Sequence, residues 1–283
     1  MPTTSDTAAP SPRRLWVRQA AAFAERFIRE LSRSWIGLFW SFGFPVMWYL
    51  LTIYLGLAPT AAGPPGRLKA VLGISFGVFG AFTVTLVGFS GDLAVDIEAK
   101  RYRKFRSLPL RPSADLAGRF LAGLVLGLAA AVAMIVVATL DGATYVLPGL
   151  TGLVVSAAAL TFFCLIGMVA GLAVTIVITD PRHASTVATG LLLAVFFVTG
   201  YNGMVPSIFP LPSWWLNYLP NSLAARLVVH QLVALDWSAA GLSPPGTPSD
   251  PGFIVLLGGY AIVFGTLAVV LVRAAIYRSD VGE

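Results

Sequence analysis

Long apolar stretches separated by short polar connections dominate the chain. A helix that crosses a bilayer needs about 20 apolar residues, and six windows reach that length. Pro45 is expected to kink the first window, and the fourth is long enough to be tilted or to begin with an interfacial turn. The pattern predicts an all-α polytopic membrane protein with one six-span domain at 35–275. The windows are Trp35–Leu57, Ala70–Gly91, Ala114–Leu140, Pro148–Thr179, Ala184–Met204 and Gly252–Ala275.

The overall composition leads to the same class. The chain is 57% hydrophobic and only 11% charged, whereas a soluble domain carries roughly 25% charged residues. Its net charge of +6 is attributed to cations that flank the spans, so no nucleic-acid partner is expected. The single cysteine, Cys164, excludes a disulfide framework and a cysteine metal site. No cleaved signal peptide is expected.

Residues 13–34 separate apolar from charged positions along one predicted helix. The apolar arc contains Trp16, Val17, Ala20, Phe23, Ala24, Phe27, Ile28 and Leu31. A basic amphipathic helix with aromatic residues on its apolar face is typical of the membrane interface. We favour that interpretation over a surface helix packed on a core. The polar residues 1–12 are predicted to form a disordered tail, and 276–283 a cytoplasmic tail.

The distribution of Lys and Arg predicts the topology. Sixteen of these cations fall on the side that holds both termini and the connection between spans two and three. Arg67, Lys69 and Arg226 fall on the other side. The positive-inside rule therefore predicts that both termini lie in the cytoplasm. The protein is expected to be a multi-pass protein of the plasma membrane.

The connection between the second and third windows, Asp96–Arg111, is strongly basic. Uncompensated charge in lipid costs about 3 kcal/mol per residue, so this connection is expected to protrude into water, where a soluble partner could dock. An alternative is that the cations only attract anionic lipid. Ser113 is a candidate N-cap for the third span, with Asp115 in its first turn. The cations are Lys100, Arg101, Arg103, Lys104, Arg106 and Arg111.

The stretch Val205–Val233 is apolar but contains four prolines. Prolines at such short intervals rule out one continuous helix, so an extracellular re-entrant pair of short helices is predicted between spans five and six. Its aromatic residues fit an interfacial belt. Leu235–Pro251 reads as an exposed loop. We predict an extracellular gate formed by Pro210, Pro212, Trp214, Trp215, Tyr218, Pro220 and Arg226.

Several sequence motifs of catalysis are missing from the chain. None of its three lysines follows a glycine, so it has no P-loop, and no HExxH or GxSxG motif occurs. Acidic residues within the windows occur only near their ends, which argues against a proton-coupled transporter. A lipid-modifying enzyme would need a convergent nucleophile, base or metal set, and none is recognisable.

The order of these elements resembles the permease subunit of the type-two ABC exporter family. The basic stretch Glu98–Pro112 (EAKRYRKFRSLPLRP) is similar to that family's charged helix, which ends in a Leu-x-x-x-Pro-like turn. The stretch Gly203–Arg226 is similar to its pattern of Pro-Leu, Leu-Pro-x-Trp and Asn-Pro before an Arg, with the last pair reversed here as Pro220-Asn221. The resemblance covers nearly the whole chain.

The resemblance implies partners and roles. Two permeases would form a homo- or heterodimer, and two copies of a separate ABC ATPase would dock beneath them and bind ATP and Mg. This chain would itself be non-catalytic and bind no cofactor. Asp96–Pro109 would be a cytoplasmic coupling helix, anchored in the ATPase by Tyr102 and Phe105. The coupling residues are then Asp96, Glu98, Lys100, Arg101, Tyr102, Arg103, Lys104, Phe105, Arg106, Leu108 and Pro109.

The resemblance also places spans two and five around a translocation pathway for an amphipathic or lipophilic solute. For any single aromatic residue there, helix packing or lipid contact is the more common role. Three GxxxG pairs, at Gly73, Gly123 and Gly167, are expected to pack helices within one subunit. A stand-alone channel or secondary transporter stays open as an alternative function. The pathway candidates are Phe76, Phe79, Phe82, Phe196, Phe197, Tyr201 and Asn202.

Overall fold

The computed structural model describes residues 11–55, 65–234 and 251–271. Within these ranges all regular structure is helical, and six helices are long and apolar enough to cross a membrane. The prediction of an all-α, six-span protein is therefore confirmed. The predicted tails and the predicted loop at 235–251 lie wholly or largely outside the described residues.

The N-terminal helix α1 covers Pro12–Arg33, and the spans are α2, α3, α5, α6, α7 and α9. Two shorter helices lie between spans: α4 in the connection of α3 to α5, and α8 before α9. The bounds from α2 onward are Trp35–Tyr54, Gly66–Glu98, Arg101–Arg106, Pro112–Leu140, Leu150–Val177, Pro181–Val198, Pro220–Leu232 and Gly252–Leu271.

Two predicted span boundaries were wrong. The second window stops at Gly91, but α3 continues to Glu98 because its polar residues are compensated inside the protein. The fifth window extends to Met204, but α7 ends at Val198. Four successive residues with positive φ, Gly200–Gly203, end the right-handed helix there. The fourth span, α6, begins at Leu150 after an irregular segment, two residues later than its predicted window.

Helix α3 is the centre of the bundle and contacts α2, α5, α6, α7 and α8. Small residues make these contacts close. A Cβ added at Gly73 would lie 2.5 Å from the Ala138 side chain of α5, and one at Gly171 would lie 2.8 Å from the Leu86 carbonyl of α3. The predicted role of the GxxxG pairs in packing one subunit is confirmed.

Two spans contain a widened turn of π-helix. In α2 the turn is Phe39–Gly43, which ends two residues before Pro45. Pro45 lacks the N–H that an α-helix would pair with the Ser41 carbonyl. In α3 it is Thr83–Gly88. Such turns leave backbone groups outside the regular helical pattern and are frequent at functional sites.

Helix α1 packs along the first half of α5. Gly118 faces the Ala20 backbone of α1, and Trp16 Nε1 donates a hydrogen bond of 3.0 Å to Ser113 Oγ. The prediction that Ser113 caps α5 was wrong, because the helix begins at Pro112 and Arg111 is its N-cap. Asp115 lies in the first turn, as predicted. The location of α1 in a membrane interface stays a prediction.

Candidate functional site

The connector, residues 99–111, joins α3 to α5. The predicted coupling helix Asp96–Pro109 is not one helix here. Asp96 and Glu98 belong to the last turn of α3, and Lys100 adopts a positive φ of 53°, which ends that helix. The short helix α4 and a turn at 107–109 complete the connector. Its chain therefore reverses direction beneath α3 and α5.

The two aromatic residues of the connector face the permease itself. Tyr102 is buried, and its hydroxyl donates a hydrogen bond of 3.1 Å to Asp115 Oδ2. The Phe105 ring lies 5.6 Å from that of Phe23 on α1, in a T-shaped contact. They hold the connector against α1 and α5.

The outer side of the connector is formed by other predicted coupling residues. Leu108 is 52% exposed, and Glu98, Lys100 and Pro109 are exposed too. Leu108 thus supplies an apolar group on the outer face. The side chains of Arg103, Lys104 and Arg106 lie outside the described part of the structure.

A buried charged cluster lies where the connector, α1, α3 and α5 meet. Its centre is Asp96, which is fully buried and accepts hydrogen bonds from Arg26 (Nη2 to Oδ1, 2.7 Å), Arg101 and Arg119. Arg119 also pairs with Asp92 and, through Nε, with Asp115 Oδ1 at 2.9 Å. We call these residues and Glu30 the charged cluster: Arg26, Glu30, Asp92, Asp96, Arg101, Asp115 and Arg119.

The charged cluster is held together by mutual compensation. Asp96, Asp115 and Arg119 are buried. A buried ion that loses its partner costs several kcal/mol, about 3–5, so these three charges require one another to stay in place. Burial opposes ionisation of Glu30, but hydrogen bonds with Asp92 and Arg26 outweigh it and lower the pKa of Glu30. The result is an ionic contact that fixes the connector to α1 and to two spans.

Sequence reasoning missed most of this cluster. Only Asp96 and Arg101 were predicted to be functional. Local signals were present, since Asp92 and Asp96 are four residues apart, as are Arg26 and Glu30 and also Asp115 and Arg119. Each pair occupies one face of its own helix, and only the packed bundle brings the three faces together.

The predicted pathway residues form an aromatic cluster between α3 and α7. The Phe196 ring lies 4.6 Å from that of Phe79 and 5.4 Å from that of Phe76. Phe197 and Tyr201 join the cluster at 5.4 and 5.3 Å from Phe196. Phe82 turns away instead and contacts Phe163 of α6. In this single chain, Phe76, Phe79 and Phe196 are buried inside the subunit.

Asn202 lies in a left-handed turn at the end of α7. Gly200–Gly203 all have positive φ, which is costly for the non-glycine residues Tyr201 and Asn202. Hydrogen bonds fix the turn: Ser75 Oγ donates to the Tyr201 carbonyl at 2.5 Å, and Asn202 Nδ2 donates to the Ser75 carbonyl at 2.9 Å. Asn221 of α8 donates to Asn202 Oδ1 at 3.0 Å. Strained backbone that is held this firmly is characteristic of functional sites.

The predicted gate residues are divided between an exposed and a buried part. Trp214 and Trp215 stack at 4.7 Å and are 51% and 42% exposed. Tyr218 lies between Trp214 and Phe253 of α9. Pro210 and Pro212 are exposed, and Pro220 begins α8. Arg226 of α8 is fully buried.

At the opposite end of the bundle from the connector, Asp141 holds the ends of α2, α3 and α5 together. It accepts hydrogen bonds from Tyr49 at 3.0 Å and from Tyr54, and pairs with Lys69 Nζ at 3.1 Å. Burial opposes its ionisation, but the bonds from Tyr54, Lys69 and Tyr49 prevail and lower the pKa of Asp141. Here too, neighbouring spans are joined by ionic and polar contacts.

One cavity of about 510 Å³ opens between α1, α2, α3 and α7, beside the charged cluster. Glu30 and Asp92 line it together with apolar and hydroxyl side chains. Among the described residues, no group of three or more His, Cys, Asp or Glu side chains is arranged to hold a metal ion.

Comparison with known proteins agrees with this architecture. Residues 18–232 match the family model described as ABC-2 type transporter, which is about three quarters of the chain. A comparison with curated proteins found no match. The matched region contains most of α1, the connector with its charged cluster, five of the six spans and α8. The chain belongs to the ABC-2 type transporter family, as a multi-pass permease component whose family works in general with an ABC ATPase.

Proposed function

We propose that this chain is the permease subunit of an ATP-driven ABC exporter of the plasma membrane, with both termini in the cytoplasm. Two copies of an ABC ATPase subunit supply the ATP and Mg chemistry. A second permease, identical or related, completes the translocation pathway. The solute is amphipathic or lipophilic, of the drug, lipid or glycan class. The aromatic cluster lines the path inside the membrane, and the 210–226 segment gates its outer end.

The charged cluster is the observation that supports this proposal best. Asp96 at the end of α3 is bonded simultaneously to Arg101 of the connector, Arg26 of α1 and Arg119 of α5. A displacement of α4 by an ATPase is therefore passed to two spans and to α1 without a flexible link. The hydrogen bond from the Tyr102 hydroxyl to Asp115 is a second link between the connector and α5.

The contacts divide the coupling residues into two sets. Tyr102 and Phe105 face inward and transmit motion to the permease. Leu108, exposed on the outer face, provides the apolar anchor for the ATPase. The basic residues of the connector accelerate encounter with an acidic groove.

The test uses the permease co-expressed with its cognate ABC ATPase. Leu108→Asp is expected to reduce ATPase co-purification at least tenfold, because a charge replaces the apolar anchor. Leu147→Asp is the matched control, since Leu147 is 99% exposed but lies at the other end of the bundle. Normal ATPase binding by Leu108→Asp would contradict the docking assignment.

Phe105→Ala separates transmission from docking. Its ring contacts Phe23 and Tyr102 of the same chain, so the ATPase should still bind while hydrolysis no longer drives transport. Uphill transport by the purified permease alone, in sealed vesicles without an ATPase, would instead support the stand-alone transporter.

A further inference from the structure

The cavity beside the charged cluster has the size and shape of a ligand site. Its volume of about 510 Å³ lies within the range of about 300–1,000 Å³ that is usual for small-molecule pockets. It is formed by α1, α2, α3 and α7, at the connector end of the bundle. Both π-helical turns open onto it, through Trp40 and Ser41 of α2 and Thr83 of α3.

The cavity wall has a marked charge asymmetry. Two carboxylates, Glu30 and Asp92, line it, and none of the described lining residues is Lys or Arg. Three aromatic side chains, Phe27, Trp40 and Phe44, line it as well. Aromatic faces and carboxylates both attract cations, whereas an anion would meet repulsion from both.

The cations of the charged cluster do not cancel this preference. Among its described side chains, four carboxylates face three guanidinium groups. Arg26 divides its guanidinium between Glu30 and the fully buried Asp96, and Arg119 divides its own among Asp92, Asp96 and Asp115. Glu30 and Asp92 therefore share their guanidinium partners with other carboxylates. No Lys or Arg is among the described residues that line the cavity, so a bound cation would add positive charge on the side of these carboxylates that has none.

We infer that this cavity binds amphipathic organic cations, with the charge held near Glu30 and Asp92 and the apolar body against Trp40, Phe44 and Leu192. The inference rests on the proposed function, whose substrate class it narrows from amphipathic solutes in general to lipophilic cations. It also places binding beside the aromatic cluster of Phe76, Phe79 and Phe196 rather than within it, since Phe44 lines the cavity and its ring lies 5.9 Å from that of Phe79.

The test compares two ions of the same shape and opposite charge. Tetraphenylphosphonium and tetraphenylborate are titrated into the purified permease in detergent by isothermal titration calorimetry, with empty micelles as the blank. The cation is expected to bind at least tenfold more tightly than the anion. Equal affinities would indicate a site for lipid tails that ignores charge, and tighter anion binding would reverse the argument; either result overturns the inference.

Two variants locate the site. Glu30→Gln removes one carboxylate and is expected to weaken tetraphenylphosphonium binding about tenfold. Glu25→Gln is its control, because Glu25 lies on the same helix but pairs with Arg29 at the surface. Trp40→Leu keeps the wall apolar but removes the aromatic face, and should weaken cation binding about threefold. Unchanged affinity in both Glu30→Gln and Trp40→Leu would refute this location.

These measurements need neither ATPase nor nucleotide, so they are independent of the coupling proposal. If the cation fails to bind while the ATPase co-purifies normally, only the substrate class is lost. If the cation binds but no ATPase associates, the site stands and the exporter assignment is wrong.

Discussion

Arg119 is the residue whose loss should damage the permease most. Its side chain is 3% exposed and pairs with Asp92, Asp96 and Asp115 at once. In Arg119→Met, Asp96 keeps Arg26 and Arg101, and Asp115 keeps the Tyr102 hydroxyl, but Asp92 loses its guanidinium. Asp92 is 15% exposed, so stranding this largely buried carboxylate is expected to cost about 3 kcal/mol, the lower end of the range for a broken buried pair. The expected drop in melting temperature is roughly 10 °C.

The lone cysteine provides the assay. Cys164 is fully buried in α6, so a thiol-reactive fluorescent dye reports when the bundle opens on heating. Arg29→Met is the control, because the Arg29–Glu25 pair is 58% and 68% exposed and such pairs contribute about 0–1 kcal/mol. Adding Asp92→Asn to Arg119→Met should restore part of the loss, since the stranded charge is removed. A melting temperature for Arg119→Met equal to that of Arg29→Met would refute the reasoning.

Three further predictions follow from local geometry. Gly200→Ala should lower the melting temperature, because the φ of Gly200 is +67° and the new Cβ would collide with the Val205 carbonyl. Gly190→Ala is the control, because there is open space around Gly190. Equal melting temperatures for the two variants would contradict this prediction. The lowered pKa of Asp141 means that its stabilisation is complete above pH of about 4 and is lost below it, so Asp141→Asn should flatten the acid side of a tryptophan-fluorescence stability profile. In a cysteine-free background, Trp214→Cys should react with an external membrane-impermeant maleimide faster than Asn217→Cys, as their exposures of 51% and 7% require; labelling from the cytoplasmic side would refute the topology.

The spans were predictable because hydrophobic length alone identifies them, and lipid imposes that length on any helix that crosses it. Their ends were less so. A search for apolar residues stops at Asp92, although α3 continues to Glu98, since only the folded bundle shows that Arg119 compensates these acids. The two glycines of the Gly200–Gly203 turn were a sequence signal for positive φ. The search for spans used hydropathy alone, which contains no information on backbone conformation.

The position of the connector was predictable from the sequence, but its contacts were not. The density of cations between the second and third spans pointed to the connector. The sequence did not indicate which way each side chain of the connector points. From the sequence, Tyr102 and Phe105 were interpreted as anchors for a partner, but in the structure they contact α5 and α1. Arg26 and Asp96 are separated by 70 residues, and no local pattern reports such a pair. The cavity exists only between four packed helices.

The close glycine contacts among α3, α5 and α6 have a mechanical consequence. A Cβ at Gly127 would lie 2.9 Å from the Cys164 sulfur, and one at Gly77 would lie 3.1 Å from the Ala131 carbonyl, so these backbones cannot slide past each other without steric clash. The three spans therefore form one rigid unit, to which the charged cluster joins α1. Any relative motion within the subunit must then occur between this unit and α2, α7 or α9. Crosslinks within the trio should leave transport intact, whereas a crosslink from α2 or α7 to it should arrest the cycle.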